Sequence, residues 1–158
     1  MRTMSDILPV LALTLAAAAA AALPASAAVK TEVVEYKDGE QICEGFLAYD
    51  DAAKGKRPGV VVVHEWMGLG DYAKERAMKL AELGYVAFAA DIYGKGIRAK
   101  DTKEAGQLAG KYKGDLPLLR SRARAAFDTL ARNPRTDPAK IFAIGYCFGG
   151  TTALELAR

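Results

Sequence analysis

The chain has 158 residues, the length of one domain. With 26% charged residues and a net charge of +3 it has the balance of a soluble globular protein, and nothing in that balance argues for nucleic acid or a membrane surface as partner. The two cysteines, Cys43 and Cys147, and the one histidine, His64, form no Cys-x-x-Cys and no Cys/His cluster, which argues against a structural zinc site and against a disulfide framework.

Ile7 to Leu23 is an apolar, alanine-rich run, followed by Pro24 and the small-residue site Ala25-Ser26-Ala27. It reads as a secretory signal peptide over residues 1–27, although Arg2 is its only positive charge and Asp6 offsets it. The competing reading is a membrane anchor, which the short, weakly apolar run and the single basic residue after it, Lys30, disfavour. The expectation is a mature domain over residues 28–158, secreted or periplasmic and free of the membrane once the signal is cleaved. An oxidising compartment would permit a Cys43–Cys147 bridge, but two cysteines alone do not specify one.

Val29 to Tyr36 is rich in Val, Thr and Tyr and predicts a strand. Asp38-Gly39 is a hairpin turn signal, and Gln41 to Tyr49 predicts the returning strand with Cys43 packed inside. Gly59 to Val63 contains four consecutive valines, the pattern of a parallel strand buried on both faces. It runs into His64-Glu65-Trp66-Met67-Gly68-Leu69-Gly70, and the carboxyl end of such a strand is where α/β proteins place their sites. His64-Glu65 begins like a zinc His-Glu-x-x-His helix, but the fifth position is Gly68, so that reading fails. A carboxylate at the mouth of an apolar strand is costly unless it is paired or functional. Glu65 is therefore read as a base for a thiol, or as an ion-pair partner holding the loop.

Asp71 to Leu83 has helical spacing, with Asp71 as N-cap and Gly84 as stop. Tyr85 to Ala90 predicts another buried strand, ending in Asp91-Ile92-Tyr93-Gly94. Residues 95–114 form a long connection with one helix, 102–111, whose basic residues are interspersed with Asp101 and Glu104 and so read as a solvated face. Asp115 to Arg132 carries a continuous apolar stripe and predicts a long amphipathic helix stopped by Asn133-Pro134. Asp137-Pro138 is read as a turn into the strand Lys140 to Gly145.

That strand delivers Gly145-Tyr146-Cys147-Phe148-Gly149-Gly150, followed by a helix-favouring stretch, Thr151 to Arg158. Strand, sharp turn and helix, with glycines two positions either side of the reactive residue, make the nucleophile turn Gly-x-Ser-x-Gly with cysteine in place of serine. The turn is crowded, so its flanks must be small, and the helix that follows points N–H groups and its positive end at the thiol. A plain strand-to-helix connection around a buried cysteine is the alternative. Read as a nucleophile turn, Cys147 attacks a carbonyl, and the N–H groups of Trp66, or a neighbour on its loop, and of Phe148 are the candidate oxyanion donors.

The Val-rich strand ending in His64-Glu65-Trp66, the Asp91-Ile92-Tyr93-Gly94 segment and Gly145-Tyr146-Cys147-Phe148-Gly149-Gly150 together resemble the dienelactone hydrolase family of α/β-hydrolases, from about Val29 to Arg158. The resemblance implies a mostly parallel sheet with flanking helices. It also implies Cys147 as acyl-enzyme nucleophile, Glu65 as its activator, and a small lactone or carboxylic ester as substrate, with no cofactor, metal or nucleic acid. Where the family type enzyme has a substrate-holding arginine, this chain has Lys95, which cannot reproduce a bidentate contact. The family's triad Asp and His lie on loops well after the nucleophile, whereas His64, the one histidine, lies before it; as a substitute base it lacks an orienting carboxylate other than its neighbour Glu65. The expectation is the N-terminal portion of an α/β-hydrolase fold, without the C-terminal strands and the triad Asp and His, and with Lys140 to Gly145 as an apolar sheet edge. A catalytically silent relative that binds a ligand through the same pocket is the competing function, and a thiol redox protein is disfavoured by the lack of Cys-x-x-Cys.

Overall fold

A computed structural model describes residues 28–158. The signal-peptide reading therefore falls outside the described residues. The chain builds β1 (Val29–Asp38), β2 (Gln41–Asp50), β3 (Arg57–Val63), α1 (Asp71–Glu82), β4 (Val86–Ala90), α2 (Thr102–Gly114), α3 (Leu116–Ala131), β5 (Thr136–Gly145) and α4 (Phe148–Ala157). The five strands form one sheet in the order β1-β2-β4-β3-β5. The β1–β2 hairpin is antiparallel and joins antiparallel to β4, while β4, β3 and β5 run parallel.

The four valines of β3 explain the two-sided core. Successive strand side chains point to opposite faces, so Val61 and Val63 enter one cluster and Val60 and Val62 the other. On the first face α3 brings Leu119, Ala123, Ala126 and Leu130. The second face is covered by α1 through Ala73, Ala77 and Ala81, small residues that let the helix lie close to the sheet. α4 packs against α3 and β5. At the hairpin, Gly39 takes a left-handed φ of 59°, as the Asp-Gly turn requires.

Two local expectations are corrected. Asp71 is the first helical residue and not the cap: Gly70 occupies the cap position, and Asp71 contributes negative charge to the positive end of α1. Asp137-Pro138 lies inside β5 as a break in register. Pro58 faces Asp137 and Gly59 faces Ile141, so residues 138–140 bulge out of the ladder. The Asp137 carboxylate accepts from Ala139 N–H at 3.1 Å and shapes that bulge, and proline sits there without removing a ladder hydrogen bond.

β5 pairs with β3 on one side and forms the edge of the sheet among the described residues. Phe142 on this strand is 56% exposed. Together with Val60, Leu80, Leu83, Tyr85 and Ile144 it lines an open apolar groove of about 320 Å³.

Candidate active site

The register of the parallel strands assembles the site. Val63 lies opposite both Ala90 and Gly145. The residues that follow each strand therefore leave the sheet at one level, on adjacent strands about 4.8 Å apart. This brings His64-Glu65-Trp66, Asp91-Ile92-Tyr93 and Tyr146-Cys147-Phe148 to the carboxyl edge of the sheet, where sequence reasoning put the site.

Cys147 is the one non-glycine residue at positive φ among the described residues, at φ 55° and ψ −115°. A side chain in that region is strained, and such strain concentrates at functional positions. The thiol is exposed and stands at the N-cap position of α4. The flanking glycines are required by contact. A Cβ on Gly145 would come within 2.1 Å of the Gly149 carbonyl oxygen, and one on Gly149 within 2.4 Å of the Val63 oxygen. The start of α4 is thus pressed against the end of β3, and only hydrogen atoms fit between them.

Phe148 is buried, and its ring packs with His64 (centroids 5.7 Å apart, 17° between planes) and with Tyr93 (5.3 Å). Among the described residues neither Phe148 N–H nor Trp66 N–H has a backbone acceptor, so both donors anticipated from the sequence are unspent. Trp66 is partly exposed and its carbonyl accepts from the Tyr93 hydroxyl at 2.9 Å. Burial, with Tyr112 and Cys147 adding to it, pushes the Tyr93 phenol well above its ordinary range, so it remains a neutral donor.

Glu65 is exposed at the mouth of β3, and no ion-pair partner holds it among the described residues. It borders an open cleft of about 150 Å³ with Met67, Asp71 and Tyr72. Tyr72 makes an edge-to-face pair with Tyr146 (5.4 Å), which walls this cleft beside the nucleophile.

His64 is buried, and burial holds its imidazole down to about 4. Its Nε2 accepts from Ile92 N–H at 3.3 Å and its Nδ1 lies 2.5 Å from the Glu65 carbonyl oxygen. With both nitrogens spent on the backbone, it has no lone pair for a thiol proton.

Lys95 is ion-paired with Glu35, and lies 3.5 Å from Glu44, both on the hairpin. The basic side chain laid along the 66–70 loop is Arg98, which sequence reasoning missed. Its Nε donates to the Leu69 carbonyl at 2.5 Å, and its Nη1 lies 3.6 Å from the fully buried Asp91 carboxylate. Asp91 in turn accepts from Gly94 and Glu44 N–H groups, each at 3.1 Å. Cys43 is buried among these groups. Desolvation, aided by Asp91, pushes its thiol up to about 11, so it is an inert packing residue; both cysteines are free thiols.

No group of three or more His, Cys, Asp or Glu suited to a metal ion occurs among the described residues, and no helix among them is long and apolar enough to cross a membrane.

Comparison with known proteins bears on the family and the fold. Residues 43–158 match the model of the dienelactone hydrolase family. Protein usf of Aquifex pyrophilus is 32% identical over 130 residues, covering 80% of this chain and 54% of that protein. Among solved structures, m3DLH is 47% identical with a TM-score of 0.80, covering 82% of this chain and 54% of that one. The dienelactone hydrolase-like promiscuous phosphotriesterase P91 from metagenomic libraries is 45% identical with a TM-score of 0.78, at the same coverages. The chain spans about half the length of the relatives it matches.

Proposed function

The chain belongs to the dienelactone hydrolase family, and on that footing we propose that Cys147 is the nucleophile of a hydrolase acting on small lactones or carboxylic esters. The observation that carries this reading is the strained, exposed Cys147 at the start of α4, with the unspent N–H of Phe148 next in the chain and that of Trp66 on the loop after the adjacent strand β3. A buried packing cysteine would need neither the positive φ nor the exposure.

The reaction assigned to these residues is acyl transfer to sulfur. The Glu65 carboxylate takes the thiol proton, and the positive end of α4 favours the resulting thiolate. Sulfur attacks the substrate carbonyl carbon, a C–S bond forms, and the carbonyl π pair moves to oxygen. That oxyanion is met by the N–H groups of Phe148 and Trp66. Collapse re-forms the carbonyl and breaks the bond to the alkoxide, which takes the proton from Glu65. The product is a thioester on Cys147; for a lactone the alcohol stays tethered to it.

Hydrolysis of the thioester needs a base that can hold a water. His64 is spent on the backbone, so we place that base in the half of the family's length that this chain does not span. Export by residues 1–27 belongs to the same proposal. Lys95 could hold substrate only by leaving Glu35 and Glu44, so the basic group offered to the 66–70 loop in this reading is Arg98. The likeness to P91, described as a promiscuous phosphotriesterase, makes phosphotriesters a second electrophile to assay beside esters.

The test is thiol acylation by p-nitrophenyl acetate, followed as a burst of nitrophenolate. The wild-type chain is expected to release one equivalent, and Cys147→Ala none. Equal release by both proteins would end the proposal.

A further inference from the structure

His64, the chain's one histidine, is fully engaged, yet the acylation chemistry makes no use of it. Its two contacts fix its proton. Ile92 N–H can only donate, so Nε2 must be the acceptor and the hydrogen of the neutral ring sits on Nδ1. Nδ1–H then donates to the Glu65 carbonyl oxygen at 2.5 Å. A trans peptide is planar, with its C=O and N–H pointing in opposite directions. Holding the Glu65 carbonyl against the buried imidazole therefore turns Trp66 N–H, the other end of the same peptide, away from the ring.

The next peptide is held as well, because the Trp66 carbonyl accepts from the Tyr93 hydroxyl at 2.9 Å. The same imidazole stacks on the ring of Phe148, whose N–H is the second donor. One side chain thus touches both halves of the pair. From this geometry we infer that His64 is a positioning residue for the oxyanion site, holding the Glu65–Trp66 peptide so that Trp66 N–H faces the carbonyl oxygen of an acyl group bound at Cys147. The inference rests on the reading of Cys147 as the acylated nucleophile. Burial keeps the ring neutral in this role: a second proton would turn Nε2 into a donor facing the Ile92 N–H.

The test separates oxyanion stabilisation from every other property of the thiol. Acylation of Cys147 by p-nitrophenyl acetate passes through an oxyanion; alkylation by iodoacetamide does not. Both rates are measured on the full chain for wild type, His64→Phe and His64→Asn. Phe keeps a ring against Phe148 and removes the donor. Asn places an amide N–H near the position of Nδ1 and restores it.

His64→Phe is expected to lower the acylation rate about 10²-fold, the effect of losing one oxyanion donor. Its alkylation rate should stay within about threefold, since no oxyanion forms. His64→Asn should recover about tenfold of the loss, the value of one restored hydrogen bond. A ring with only a packing role would move both rates together, and an unchanged ratio of acylation to alkylation in His64→Phe would overturn the inference while leaving Cys147 as nucleophile. A wild-type thiol that alkylates but never acylates would overturn both. Should His64→Phe fail to fold, ¹⁵N NMR of the histidine-labelled wild-type chain decides. One imidazole gives one pair of nitrogen signals, and a proton on Nδ1 supports the inference, whereas a proton on Nε2 contradicts it.

Discussion

Two neighbouring glycines should respond to the same substitution with opposite sign. Gly149 and Gly150 both lie in α4, and neither has a positive φ. By propensity alone each Gly→Ala change would stabilise the helix by about 0.5–1 kcal/mol. Gly150 should behave that way, because its added Cβ would meet nothing closer than the Gly145 oxygen at 3.5 Å. At Gly149 the added carbon would stand 2.4 Å from the Val63 oxygen, 2.7 Å from the His64 oxygen and 2.9 Å from the Val63 carbonyl carbon. Even close carbon–oxygen contacts lie near 3.3 Å, so α4 and β3 must separate by roughly 0.9 Å. All three atoms are backbone, which places the cost toward the upper part of the roughly 1–3 kcal/mol seen for overpacking. With a urea slope of about 1–3 kcal/mol per molar, Gly149→Ala should lower the unfolding midpoint by about 1 M, and Gly150→Ala should raise it slightly. The displacement also moves Phe148 N–H away from the site, so acylation of Cys147 in Gly149→Ala should fall about 10²-fold, the usual effect of a misplacement near 1 Å. Equal stability of the two variants, with acylation retained in Gly149→Ala, would refute the tight seating of α4 on β3.

Further expectations concern charge and the sheet edge. His64 has a folded value of about 4 against 6.5 for a free imidazole, so below pH 6.5 the unfolded chain takes up a proton that the folded chain refuses. Its contribution is intact above pH 6.5 and falls by about 3 kcal/mol as pH drops to about 4; urea titrations should show this slope in wild type and lose it in His64→Asn. Glu65→Gln removes the proposed base and should slow acylation by about 10²-fold without moving the unfolding midpoint, because Glu65 is exposed. Lys95→Met breaks exposed ion pairs only, so it should leave the unfolding midpoint and the acylation rate nearly unchanged, whereas Arg98→Met should lower the acylation rate by loosening the 66–70 loop. Phe142→Lys replaces a side chain that is 56% exposed on β5 and should leave the urea unfolding midpoint nearly unchanged.

The sequence was most informative where one physical constraint acts locally. The four valines of β3 can only suit a strand covered on both faces, and Asp38-Gly39 can only suit a tight turn. The glycines flanking Cys147 announce crowding before any contact is measured. Legibility ends where the deciding partner is distant in sequence. Asp137-Pro138 looks like a turn because nothing local reveals that Asp137 pairs with Pro58 of β3 and that the ladder resumes at Ile141 after a bulge. Asp71 has the chemistry of a cap, but Gly70 already holds the cap position, so the carboxylate moves one place into the helix. His64 could be read as a weak candidate base until Ile92 and Glu65 appear on its two nitrogens. Arg98 lies in an irregular connection with no periodicity to mark it, and its role follows only from the fold that lays it along the 66–70 loop.

The central claim is that Cys147 is an acyl-accepting nucleophile, and mass spectrometry of the peptide containing it tests that claim most directly. The chain would be treated briefly with p-nitrophenyl acetate at neutral pH, quenched in acid and digested. We predict one acetyl group on Cys147 and none on Cys43, which is buried with its thiol raised to about 11. Acetylation confined to surface lysines, with Cys147 unmodified, would contradict the account.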